Sequence, residues 1–426
     1  MTRVLFLAES FHPVLGGGET HLRRLGASLV AMGHEATIVT RRDEAEWPAD
    51  DEVDGIRVRR VPPAGPGRTG KYLMVPAAVR AVLREGRRHD LIVVRATRVL
   101  GLPGLLAARA LGRPVILQPE INGELSGEAF TWGWRRGQAL GPVVRGLVGL
   151  RNLWLGDADG FVAMSRKIRE EMIDAGIARE RIALIHHGVD TGRFRPAEPG
   201  KREALRASLG LPDGLLAVFT GRLLRGKGLE TLLAAFGEVA EAEPNVHLVL
   251  VGSGTGQALS VEEQLKVEVR ARGLEGRVVF AGRVDAVEGH LKAADIFVFP
   301  SVFEALGISL VEAASCGLPA VASRTGGIVD VVEDGRSGLL VTPGSARELA
   351  VSLLALVRDP SRRAQMGRRA RAVALAGFDE RDAVSRYLSL FREVTRPGRP
   401  PRGPGETRGC APRAGGARRP SPGARA

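Results

Sequence analysis

Cysteine is nearly missing from this sequence: Cys316 and Cys410 are its two thiols. One falls in an apolar helical stretch and the other in a basic tail, so neither a disulfide framework nor a cysteine metal site can be built, and a reducing, cytoplasmic setting is the natural expectation. No apolar run approaches the roughly 20 residues that span a bilayer, which limits any membrane contact to a peripheral one. A leader is not legible either. The opening MTRVLFLAESFHPVLGGGE has one arginine and a short apolar run that meets a glycine turn where a signal peptide would need its cleavage site, so it reads as a first buried strand. With 44% hydrophobic and 26% charged residues the chain is neither disordered throughout nor fibrous.

The formal charge of +13 is unevenly placed. From Thr395 onward eight arginines face Glu406 alone, so this short tail supplies more than half of the excess, and the body is only moderately basic. Nucleic acid is therefore not an expected specific partner. The tail, RPGRPPRGPGETRGCAPRAGGARRPSPGARA, has almost no apolar bulk to offset ordering entropy and reads as disordered over 395–426.

At 426 residues the chain exceeds what one core usually supports, and two domains are expected. Short apolar runs alternate with helical patterns: VLFLA, ATIVT, LIVV, PVILQ, GFVAMS and RIALI in the first half. The polar connector RFRPAEPGKRE follows, and then a second series, LLAVFTG, VHLVLVGSG, VVFAGRV, DIFVFPS, PAVAS and GLLVT. Such alternation marks parallel sheets with crossover helices, here two consecutive doubly wound, Rossmann-like α/β units over 1–194 and 195–377. A final helical pattern at 378–394 places Val384, Tyr387, Leu388, Leu390 and Phe391 on one face, which must pack on something.

The chemistry concentrates in PSVFEALGISLVEAASCGLPAVAS, residues 300–323. A helix starting near Leu306 would leave the N–H groups of Leu306, Gly307 and Ile308 unpaired, a cradle for a diphosphate. Glu304 in the preceding loop could accept hydrogen bonds from sugar hydroxyls, and Glu312, two turns in, could take a ribose diol. In TGRLLRGKGLE, Arg222 and Lys227 lie between a strand and a helix, where a planar fork and a point charge would jointly neutralise a diphosphate. In LGGGETH, Gly16 and Gly17 allow positive φ and close approach of a ligand. That loop lacks the spaced glycine fingerprint of dinucleotide binding, and no acidic residue ends ATIVT, which argues against a dehydrogenase.

At these residues the sequence resembles the retaining glycosyltransferases of family 4. The resemblance runs from Val4 to about Val394, and it implies the GT-B architecture: two Rossmann-like domains facing a central cleft, with a C-terminal crossover helix. It implies a nucleotide-sugar donor and a glycan, lipid-linked or small-molecule acceptor. Glu304 would contact the donor sugar, Glu312 the ribose, Arg222 and Lys227 the leaving diphosphate, and Gly16 and Gly17 the donor phosphates from across the cleft. VGSG and FAGRV resemble the base and ribose rim, with backbone groups at Arg283 and Val284 reading the base. Asp330 and Arg336, in the next helix-turn-strand unit, are taken as structural.

Two departures stand out. Where the family commonly has a cleft His after PVILQ, this chain has Pro119-Glu120, and Glu120, Asn122 and Glu124 default to a solvated loop. HHGVD replaces the family's usual Asn with His187, and His186 and His187 are expected to be structural at the hinge. Asp157-Ala158-Asp159 imitates a metal-binding Asp-x-Asp but precedes a strand, and with Arg222 and Lys227 supplying charge, no catalytic metal or cofactor is expected. Residues 131–154 combine three tryptophans and four arginines, a composition suited to peripheral contact with anionic lipid or to an ordinary helix pair. The competing readings are an inert sugar-nucleotide or glycan-binding protein and a nucleotide-sugar epimerase on the same fold.

Overall fold

A computed structural model of the protein describes residues 1–14, 16–65, 69–128, 142–257 and 259–396. Eight strands form the first sheet, β1 (Arg3–Leu7), β2 (Glu35–Arg41), β3 (Asp50–Val53), β4 (Ile56–Val61), β5 (Leu91–Arg95), β6 (Val115–Gln118), β7 (Gly160–Ala163) and β8 (Ile182–Leu184). Their order is β3-β4-β2-β1-β5-β6-β7-β8, parallel except where β3 meets β4. Central strands such as Val4–Leu7 and Leu91–Val94 are wholly buried because helices cover both faces, which is why they read as continuous apolar runs. The β3–β4 hairpin carries no such run. It is a polar edge, turned by Asp54 and Gly55, both at positive φ.

The second sheet holds β9 (Leu215–Thr220), β10 (Val246–Val251), β11 (Val278–Gly282), β12 (Ile296–Phe299), β13 (Ala320–Ser323) and β14 (Gly338–Val341). Its order is β11-β10-β9-β12-β13-β14, all parallel. The order reverses between β9 and β12, so the crevice beyond their C-terminal ends is where this fold receives ligands.

Two chain segments cross between the domains side by side. Val189 N–H donates to the Phe378 carbonyl at 2.9 Å, and Glu380 N–H donates to the Val189 carbonyl at 3.0 Å. Gly188 permits this approach, since a Cβ there would stand 2.5 Å from Glu380 Cα. Helix Glu380–Val394 then buries Val384, Tyr387, Leu388 and Phe391 in the core of the first domain, beside Val4, Phe6 and Val93. This is the partner that its apolar face required. The tail beyond residue 396 lies outside the described residues.

Candidate active site

Both clusters picked out in the second half of the sequence sit at the switch point. Arg222 and Lys227 follow β9, and Glu304 follows β12. Lys227 Nζ donates to Glu304 Oε2 at 2.6 Å, and the ammonium lies 5.8 Å from the centre of the Phe299 ring. Glu304's loop is pinned from two sides. Asn122 of the other domain donates to the Glu304 carbonyl at 3.0 Å, and Gly326, at φ +51°, lies so close that a Cβ would run into that same carbonyl.

Glu312 lies in helix Ile308–Ser315. Burial pushes its carboxyl up to about 7, against the opposing charges of Arg24 and Arg193 and with a further push from Glu288. Arg24 Nη2, from the first domain's helix Gly17–Ala31, approaches Glu312 Oε1 to 3.7 Å.

These groups line one interdomain cavity of about 840 Å³. Gly16, Gly17, Arg222, Lys227, Arg283, Val284, Glu304, Gly307, Ile308 and Glu312 all border it, together with Thr20, Thr220 and Phe299, which sequence reasoning passed over. Arg222 makes no ion pair among the described residues. Leu306 is a correction: the helix opens at Ile308, capped by Gly307 at φ 89°, and the Leu306 side chain is 2% exposed in the core, away from the cavity lining. The glycine loop also works differently from expectation. Gly16 is extended (φ −165°) and Gly17 begins the helix, so what these positions supply is proximity: a Cβ on Gly17 would stand 3.2 Å from Ile308 Cδ1 across the cleft.

Beside Arg283 the rim is stapled by Glu262. Burial would raise this carboxyl, but the Ser253 hydroxyl (2.6 Å), the Gly254 N–H (2.8 Å) and Lys266 (3.1 Å) outweigh it and pull Glu262 down to about 2. Ser253, Thr255 and Gln257 thus face the cavity from a braced loop.

On the other wall, the expected solvated loop is buried. Arg95 Nε donates to Glu120 Oε1 at 2.5 Å and Arg95 Nη1 to the Gly18 carbonyl at 3.2 Å. Glu124 accepts from the Thr97 hydroxyl (2.7 Å) and the N–H groups of Arg98 (3.0 Å) and Glu120 (2.9 Å). Burial raises both carboxyls. Arg95, Thr97 and Arg98 come from the end of β5 and the helix after it, too far along the chain for local composition to reveal.

Beneath lies a stack of His21 on His187, with ring centres 3.8 Å apart. His187 is 3.4 Å from Gln118 Nε2, and Tyr387 of the returning helix donates to Gln118 Oε1 at 3.0 Å. Burial pushes both imidazoles well below 6.5. Asp330, its side chain 0% exposed, accepts from the Arg166 N–H at 2.6 Å and lies 3.2 Å from His186 Nε2, a further link between the domains. Asp159 is occupied within its own domain, accepting the Val115 N–H at 2.9 Å.

Residues 15–193 match the family model described as Glycosyltransferase Family 4, and residues 201–373 match Glycosyl transferases group 1. A D-inositol 3-phosphate glycosyltransferase of Kineococcus radiotolerans is 31% identical over 89% of this chain and 91% of the relative. A GDP-mannose-dependent alpha-(1-6)-phosphatidylinositol monomannoside mannosyltransferase of Mycolicibacterium smegmatis is 30% identical over 91% of this chain and 98% of the relative. Among solved structures, Anabaena Alr3699/HepE in complex with UDP superimposes with a TM-score of 0.75 at 25% identity, over 92% of this chain and 100% of that one. A sucrose-phosphate synthase from Thermosynechococcus elongatus shares the fold, with a TM-score of 0.78 at 24% identity over 92% and 99% of the two chains.

Proposed function

Because this chain belongs to glycosyltransferase family 4 and carries the GT-B fold, we propose that it is a retaining, metal-independent hexosyltransferase. Its donor, a nucleoside-diphosphate sugar, binds in the C-terminal domain, and a glycan or lipid-linked acceptor enters from the N-terminal domain. The convergence of Arg222, Lys227, Glu304 and Glu312 with Gly16 and Gly17 on one cavity is the observation that supports this most.

When the donor enters, Lys227 exchanges Glu304 for a phosphate oxygen, which frees Glu304 to accept the sugar hydroxyls. Arg222 forks onto the same diphosphate. As the C1–O bond breaks, its electron pair stays with the diphosphate, where these cations hold the developing charge. The acceptor oxygen bonds to C1 on the face the leaving group vacates, and its proton passes to a departing phosphate oxygen. Loss of one such charge contact costs about 3 kcal/mol of transition-state stabilisation. Calorimetric binding of UDP, GDP, ADP and their sugars in the presence of EDTA tests the donor site. Binding that disappears in both Glu312→Ala and Lys227→Ala supports it, and indifference to both changes removes it.

A lipid surface is the acceptor's source in this reading. Helix Pro142–Leu155 leaves Val143, Leu147, Leu150, Leu153 and Trp154 exposed, a stripe that would lie in the headgroup boundary beside Arg145. Residues 131–141 of the Trp- and Arg-rich stretch lie outside the described residues. No helix among the described residues is long and apolar enough to cross a membrane. Flotation with phosphatidylglycerol vesicles, abolished by Leu147→Ser with Leu150→Ser, is the expected outcome; equal flotation of the variant counts against it.

A further inference from the structure

Arg24 stands between the two domains and has no task in the donor chemistry described above. It projects from helix Gly17–Ala31 in the N-terminal domain, yet it faces Glu312 in the C-terminal domain at 3.7 Å. Its guanidinium carbon lies 5.8 Å from the ring of Phe194, which is buried in the interdomain linker. One turn further along the same helix, Ser28 donates to Glu380 at 3.1 Å, at the start of the returning helix. Arg24 is thus held where three elements meet: the first domain, the linker and the helix that carries Glu312.

We propose that Arg24 is a positioning residue for the donor: closing onto Glu312 across the cleft, it fixes the charge and aim of that carboxylate so that both ribose hydroxyls can donate to it. This rests on the donor-site reading above, and it makes nucleotide affinity in one domain depend on closure by the other.

The chemistry is a matter of acceptor capacity. An ionised carboxylate accepts from both ribose hydroxyls, whereas its protonated form spends one oxygen as a donor. The charged groups facing Glu312 are Arg24 from the first helix, Arg193 from the linker and Glu288 from helix Val287–Ala293. Arg193 is already committed to Glu288 at 2.8 Å. Arg193 still opposes the burial that raises Glu312 to about 7, but Arg24 is the larger opposing charge and the one that forms no ion pair with Glu288. Without Arg24, ionisation moves to higher pH and the diol loses an acceptor at neutrality.

The test uses the full chain with UDP, GDP and ADP and their 2′-deoxy counterparts as probes, titrated calorimetrically between pH 6 and 9. The wild type should prefer the ribonucleotide about tenfold at pH 7.5, the size of one charge-assisted hydrogen bond. Arg24→Gln should lose most of that preference at pH 7.5 and regain it near pH 9. Arg24→Lys should keep it, and Glu312→Gln should lack it at every pH. A wild-type pH profile of ribose preference in Arg24→Gln would overturn this proposal alone. Failure of the wild type to bind any of these nucleotides would overturn the donor reading and this proposal with it.

Discussion

Glu312→Gln should make the unliganded protein more stable while destroying its donor site. The carboxyl is buried and raised from the ordinary value of 4.5 to about 7. Between those two values the native state holds a proton that the unfolded chain has released, so stability falls as pH rises through that window and stays lowered above it. The gap corresponds to about 3 kcal/mol at pH 8. An amide of nearly the same shape does not titrate, so the variant recovers that amount at pH 8, less than about 1 kcal/mol at pH 5, and nothing below pH 4. For a domain of this size about 3 kcal/mol is a rise of roughly 6–12 °C in the melting temperature. Scanning calorimetry of both proteins at pH 5 and pH 8 reads the difference. A variant no more stable at pH 8, or one stabilised equally at both pH values, would refute the assignment of a strained, desolvated carboxylate.

Lys227→Ala should lower kcat by 10²–10³, as expected for one lost contact to the departing diphosphate, with the melting temperature within a few degrees of wild type; steady-state kinetics beside a thermal melt separates the two. Gly326→Ala should lower kcat at least tenfold, because its Cβ displaces the Glu304 carbonyl from a backbone already at φ +51°; unchanged kcat in a folded variant would show that this loop does not position Glu304. Asp330→Ala strips a buried carboxylate from the Arg166 N–H and His186 and should weaken closure by about 2 kcal/mol. Its signature is a larger radius of gyration in small-angle scattering, most visible without nucleotide.

Much of this fold was legible because its signals are local. Runs such as VLFLA and VHLVLV are continuous since both sheet faces are covered, and Glu304, Glu312 and Lys227 sit in short segments whose spacing survives folding. The misses share a cause in long-range structure. The β3–β4 hairpin has a polar edge, and only the Asp54-Gly55 pair announces it. The helix start moved from Leu306 to Ile308 because Gly307 takes a left-handed cap, which periodicity does not register. Glu120 and Glu124 look solvated until Arg95, Thr97 and Arg98 arrive from another strand and helix. Arg24 is an ordinary amphipathic-helix arginine in the sequence, and it acquires meaning only when the opposite domain closes on it.

Retaining, metal-independent transfer is tested most directly by turnover of nucleotide sugars in EDTA, following nucleoside diphosphate release and the anomeric configuration of the nascent sugar by proton NMR before it mutarotates. With or without an added acceptor, the enzyme should release nucleoside diphosphate from at least one donor and give a product that keeps the donor's anomeric configuration, with both lost in Lys227→Ala. Inverted product, absolute dependence on a divalent cation, or no release from any donor would contradict this mechanism.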